Sequence, residues 1–121
     1  MKKFLVITFL LLFIIITPVN AYMGSSFEEP INVCASHILV SDELQAEKLK
    51  LEINNYDDFQ QLAKIYSQCP SGRKGGYLGC FGKRQMVKEF EQAAFNGELN
   101  KVIGPIKTEF GYHLIWVNRK Y

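Results

Sequence analysis

Apolar positions beyond residue 32 recur with two different periods. Val33 to Val40 alternates, with Ala35, His37 and Leu39 on one face and Cys34, Ser36, Ile38 and Val40 on the other, which predicts a strand. Ser41 can then cap a helix running to about Asn54, with Asp42 and Glu43 in the first turn, where the dipole favours negative charge. Its inward stripe is Ala46, Leu49 and Ile53. Asp57 followed by Gln60 resembles a capping box that opens a second helix with Phe59, Leu62, Ala63 and Tyr66 on its buried side. Cys69-Pro70-Ser71-Gly72 ends that helix in a turn.

Five of the eleven residues from Gly72 to Gly82 are glycine, so the backbone there needs positive φ or close approach at several points. The phosphate-loop pattern, with lysine and a hydroxyl residue after its last glycine, is absent. Met86 to Phe95 reads as a third helix carrying Met86, Phe90, Ala93 and Ala94 on one side, closed by Asn96-Gly97 as a left-handed cap. Gly104-Pro105 begins a strand of Ile106, Lys107 and Thr108, and Phe110-Gly111 makes a tight connection. The last strand, Tyr112 to Val117, sets His113, Ile115 and Val117 on one face against Tyr112, Leu114 and Trp116 on the other. Strand, helix, helix, short strand, helix, strand, strand is an α+β order whose last two strands pair antiparallel.

Composition changes the picture mainly at the start of the chain. Lys2 and Lys3 precede a 13-residue apolar run from Phe4 to Ile16, broken by Thr8, and Pro18 and Ala21 follow. That is the pattern of a secretory signal peptide over residues 1–21, and the run is short of the about 20 residues of a spanning helix. Residues 22–32 read as a polar leader, and 33–121 as the domain. An exported protein, periplasmic or extracellular, is expected, with membrane contact only if residues 4–16 stay uncleaved. Setting aside Lys2 and Lys3 leaves 12 basic side chains against 12 acidic ones, so nucleic acid is not an expected partner. Cys34, Cys69 and Cys80 have no zinc-site spacing; they permit one disulfide and leave one thiol, without deciding which pair closes.

Four stretches carry a family resemblance: ASHILV at 35–40, SQCPSGRKGGYLGCF at 67–81, QMVKEFEQAAF at 85–95 and GPIKTEFGYHLIWV at 104–117. In this order and spacing the chain resembles a parvulin-type peptidyl-prolyl cis/trans isomerase, over about residues 33–119. The resemblance implies an FKBP-like four-stranded antiparallel sheet surrounded by helices, with the site over its concave face. It implies His37, Cys69 and His113 as the polar, catalytic centre. It also implies Leu78, Met86 and Phe90 as the proline pocket, with Thr108 and Phe110 beside it. Two departures matter. Val40 passes straight to Ser41 without the basic insertion of phosphate-selecting parvulins, so unphosphorylated X-Pro bonds are the expected substrate. Lys88 stands where the family often carries proline.

Turning an X-Pro bond makes and cuts no bond, so neither cofactor nor metal is expected. Partners would be proline-containing unfolded or newly exported polypeptides, met by a monomer. Taken alone, His37 and His113 are ordinary strand histidines, and Met86 and Phe90 at i, i+4 spacing are ordinary core. Arg73, Lys74, Lys83 and Arg84 are a solvated basic rim, or a lure for acidic residues next to proline. A cysteine hydrolase built on Cys69 and His113 lacks any protease signature around the cysteine. The serious alternative is a non-catalytic peptide-binding chaperone, a holdase, which would have no need of the His37, Cys69 and His113 set.

Overall fold

The computed structural model describes residues 28–121; the expected signal peptide and most of the polar leader lie outside the described residues. Strands β1 (Asn32–Val40), β2 (Tyr77–Gly82), β3 (Val102–Thr108) and β4 (Gly111–Lys120) form one antiparallel sheet in the order β2-β1-β4-β3. Helices α1 (Glu43–Glu52), α2 (Tyr56–Tyr66) and α3 (Lys88–Asn96) cover it, and a short 3-10 turn spans Pro70–Lys74. The α+β expectation and the four-stranded antiparallel sheet hold.

Alternation along the two central strands sorts the core into two clusters, one on each face. Ile38, Val40, Leu114 and Trp116 pack under α1 and α2 with Ala46, Leu49, Ile53, Phe59 and Ala63. Val33, Ala35, Ile115 and Val117 pack on the other face with Phe81 and with Phe90 and Ala94 of α3. The expected stripe of α1 is buried as read. In α2, Phe59 and Ala63 are buried and Leu62 is half-buried, whereas Tyr66 is exposed.

Element ends depart from the sequence reading for local reasons. Ser41 does not cap α1: Asp42 holds the N-cap position in extended backbone, and the helix ends at Glu52 rather than Asn54. Asp57 does not open α2 either. Asn55 does, its side chain accepting from the Asp58 N–H at 2.8 Å. Helix α3 begins at Lys88, so Met86 sits on the preceding turn, and lysine fills the first helical position, where proline is favoured. Gly97 is not left-handed (φ −73°); its packing on Ile103 explains the glycine instead, since a Cβ would meet that side chain at 2.1 Å. Lys120 donates to the carbonyls of Phe95 and Gly97, placing a cation at the negative end of α3. Strand β3 starts at Val102, not Gly104; its register shifts between Ile103 and Ile106, around the cis Gly104-Pro105 bond. The Lys50 ammonium donates to the Gly104 carbonyl and ties this kink to α1.

The glycine-rich stretch becomes the 3-10 turn and edge strand β2. Opposite Ala35 and Ser36 stand Gly79 and Tyr77, so Leu78 is the extra residue of a bulge. Gly79 takes φ +84° there, and Gly76, at φ +87°, lies so close to β1 that a Cβ would stand 2.3 Å from the His37 carbonyl. The ends of the described chain meet: the N–H groups of Ile31 and Asn32 donate to the Tyr121 carbonyl, and the Tyr121 N–H donates to that of Asn32.

Cys34 and Cys80 sit directly opposite each other on β1 and β2 and form a disulfide, leaving Cys69 as the free thiol. The link closes a sequence separation of 46 residues. Its loss releases chain entropy in the unfolded state, so Cys34→Ser/Cys80→Ser is expected to lose about 2–4 kcal/mol. Urea unfolding of the oxidised protein and of this variant measures the difference; coincident midpoints contradict it.

Candidate functional site

The two histidines come from adjacent central strands. His37 on β1 faces Ile115, and His113 on β4 faces Leu39, so the histidines are diagonal neighbours on the α3 side of the sheet. Their Nδ1 atoms lie 3.0 Å apart and their rings stack at 5.2 Å between centroids. The Phe90 ring, from the first turn of α3, meets both imidazoles edge-on, at 5.7 and 5.4 Å.

Hydrogen bonds continue outward from this pair. His37 Nε2 is 3.1 Å from Ser71 Oγ, and His113 Nε2 is 2.6 Å from Thr108 Oγ1. Two neutral imidazoles hold one N–H each, so the chain Ser71–His37–His113–Thr108 is satisfied with all donors pointing one way or all pointing the other. Thr108 Oγ1 also accepts from the Phe110 N–H at 3.2 Å, which fixes the turn carrying Phe110.

Burial pushes the His37 imidazole down to about 4, and the neighbouring His113 pushes in the same direction. Burial lowers His113 as well. Both rings are therefore neutral at neutral pH, as a mutual Nδ1 hydrogen bond requires: one ring donates and the other accepts.

In front of the pair opens an apolar cavity of about 500 Å³. Among the expected site residues, His37, Cys69, Leu78, Met86, Phe90, Phe110 and His113 line it. Cys69 stands on a loop tied to the end of β1: the Gln68 N–H donates to the Leu39 carbonyl at 2.8 Å, and Ser67 Oγ accepts from the Leu39 N–H. The β2 bulge turns Leu78 onto this face. Phe110 is 62% exposed and forms part of the rim. Thr108 is buried beside the cavity rather than in its lining: it lies behind His113 and orients that ring.

Sequence reasoning missed Leu39, Gln68, Pro70, Gln85 and Val87 in the lining, and Ser71 as the partner of His37. Leu39 was readable, since it alternates onto the His37 face. Gln85 and Val87 carry no such signal, because they reach the cavity from an irregular turn. Among the described residues no group of three or more His, Cys, Asp or Glu is placed to hold a metal.

The model of the PPIC-type PPIASE domain family matches residues 23–121. A foldase protein PrsA of Geobacillus sp. (strain WCH70) is 52% identical over 87 residues, which are 71% of this chain and 32% of the relative. PrsA of Halalkalibacterium halodurans is 47% identical over 99 residues, 81% of this chain and 30% of its own. The chain thus spans about a third of the length of these relatives. The crystal structure of the peptidylprolyl isomerase PrsA from Bacillus anthracis superposes with a TM-score of 0.72 at 38% identity, covering 77% of this chain and 43% of that one. Pin from the archaeon Cenarcheaum symbiosum superposes with a TM-score of 0.66 at 38% identity, covering 80% of this chain and 98% of its own.

The neutral pair predicts acid lability. The folded state holds His37 below its unfolded value, so its contribution is fully present above pH 6.5 and is lost as pH falls toward 4. The loss for His37 reaches about 3 kcal/mol. Urea midpoints at pH 7.5 and 4.5 should differ accordingly, and by less in a His37→Gln variant. An equal acid-induced drop in that variant contradicts the assignment.

Proposed function

The chain belongs to the PPIC-type peptidyl-prolyl cis/trans isomerase domain family, the parvulins, and from that premise we propose that it accelerates rotation about unphosphorylated X-Pro bonds in unfolded or newly exported polypeptides. The observation that carries this reading is an apolar cavity whose lining includes two hydrogen-bonded neutral imidazoles and a free thiol. The 13-residue apolar run behind Lys2 and Lys3, together with relatives named foldases, supports an exported substrate pool. The short passage from Val40 to α1, with the acidic residues Asp42 and Glu43 and no cation, supports unphosphorylated substrates.

Rotation about the X-Pro bond crosses a barrier of about 18–20 kcal/mol because amide resonance is lost at the twisted geometry. Catalysis requires that the site hold this twisted form better than either planar one. The proline ring enters the cavity against Leu78, Met86 and Phe90, which leaves the amide at the mouth. At the twist the nitrogen pyramidalises and the carbonyl recovers ketone character. Cys69 faces that carbonyl and acts through its local field, without a covalent adduct. The imidazoles keep the floor neutral and rigid, so the amide leaves water for fixed dipoles that need no reorganisation as it turns. His37, Cys69 and His113 are the catalytic centre in this reading, Leu78, Met86, Phe90 and Phe110 hold the substrate, and Thr108 positions His113.

Protease-coupled isomerisation of a short unphosphorylated peptide series tests the activity. Acceleration of proline-limited refolding that persists at substoichiometric protein supports an enzyme; one-to-one protection from aggregation without acceleration supports the holdase instead. Met86→Ala removes a wall whose contact with the ring is worth roughly 1.5 kcal/mol, so kcat/KM should fall about tenfold. Cys69→Asp should keep measurable turnover while Cys69→Ala weakens it. A dead aspartate variant, with rapid alkylation of the wild-type thiol by substrate-like electrophiles, would point to covalent chemistry.

A further inference from the structure

The Cys34–Cys80 disulfide belongs to neither core cluster, although Cys34 itself is buried. Its neighbours on the sheet are polar. Ser36, two residues along β1, bonds through its hydroxyl to Tyr56 and Asn118. Arg119 is the register partner of Cys34 on β4, so its side chain leaves the sheet on the same face. The ion pairs among the described residues are Lys83–Glu29 and Lys101–Glu98, so no carboxylate there neutralises Arg119. On β2 the Tyr77 hydroxyl lies 3.8 Å from Cys80 Sγ, and since a disulfide sulfur carries no proton, the phenol is the donor.

The two halves of the bond differ in access. Cys34 sits on a central strand, whereas Cys80 is exposed on an edge strand whose one neighbour is β1. A staple between strands requires neither that exposure nor the cation and phenol beside it. The bond also stands close to the proline cavity. Leu78, the cavity wall that β2 supplies, lies between two ties to β1: the His37 N–H donating to the Gly76 carbonyl at 2.9 Å, and the disulfide at Cys80. Leu78 is the bulged residue, with left-handed Gly79 next to it, so the backbone that aims it is held from both sides.

Resting on the isomerase reading above, we propose that this disulfide is a redox-exchange site, at which a dithiol reductant opens the link, loosens Leu78 and weakens the proline cavity. A thiolate of the dithiol attacks the accessible Cys80 Sγ. A mixed disulfide forms there, the bond between the two cysteines breaks, and Cys34 leaves as a thiolate favoured by the Arg119 charge. The second thiol of the reductant then displaces Cys80, whose thiolate accepts from the Tyr77 hydroxyl. The reductant ends as its own disulfide; two electrons and its two protons have passed to Cys34 and Cys80. Cys69 takes no part, being already the free thiol among the three cysteines.

The test exposes the oxidised chain in native buffer to dithiothreitol and counts alkylated thiols by mass spectrometry. The count should rise from one to three without urea. With glutathione, a monothiol, the adduct should map to Cys80 and leave Cys34 open to alkylation. Tyr77→Phe and Arg119→Gln should each slow opening about threefold. Thioredoxin opening the bond faster per thiol than dithiothreitol assigns a protein dithiol as the reductant; equal rates assign a small one, and both support the site. Isomerisation of a short unphosphorylated peptide by the reduced chain should show KM raised about threefold to tenfold, with kcat within about twofold. Cys34→Ser/Cys80→Ser should have that raised KM and no response to dithiothreitol. The amide spectrum of the reduced chain should stay folded, with shifts confined to β2 and its surroundings. A bond that opens only in urea, an adduct on Cys34, a collapsed spectrum or an unchanged KM overturns the proposal. If neither form turns over peptide, the isomerase reading fails, and peptide Kd from amide-shift titration of both forms still decides whether the link controls the cavity.

Discussion

One buried contact organises the rest of the domain: the 3.0 Å approach of the His37 and His113 Nδ1 atoms. It joins the two central strands through their side chains as well as their backbones, on the face that α3 covers. Burying two ionisable rings is costly unless each polar atom finds a partner. Ser71 and Thr108 supply the outer partners, and the Phe90 ring excludes water from above. The sheet register, the 3-10 turn that carries Ser71 and the first turn of α3 must all be correct together. A set of groups with such mutual requirements is either assembled or lost as a unit.

The two faces of the sheet have different work. Under α1 and α2 the packing is continuous, with Phe59, Tyr56 and Trp116 in contact around Ile38 and Leu114. Under α3 the packing is continuous only at one end, around Val33, Val117 and Phe81. Toward the other end Phe90 still meets both histidines, and the cavity opens beside it, lined also by Leu78, Met86 and Phe110. The β2 bulge belongs to this arrangement, because without the extra residue Leu78 would not fall on the cavity side.

Most of the architecture was legible because strand alternation is strict in β1 and β4: the faces read from sequence for His37 and His113 are those observed. The buried stripe of α1 was equally plain from Ala46, Leu49 and Ile53. Helix ends were not, since Ser41, Asp42, Asn55 and Asp57 are all competent caps and tertiary packing chooses among them. That Thr108 stands behind His113 rather than in the cavity lining was not legible either. Adjacency along the chain brings a residue near the site, but strand pleat decides whether it faces the cavity or stands behind a ligand-facing ring. The Cys34–Cys80 pairing needed the β1–β2 register, which three cysteine positions cannot supply.

The paired ends of the described chain have a consequence for architecture at larger scale. Residues 31 and 121 are joined at one pole of the sheet, whereas Leu39 and Phe110 mark the mouth of the cavity at the other. A domain whose two seams coincide can be set into a longer polypeptide as a loop-out, leaving its neighbours' backbone path nearly uninterrupted. The working pole then projects outward on the side opposite the junction, free of whatever is grafted before or after it.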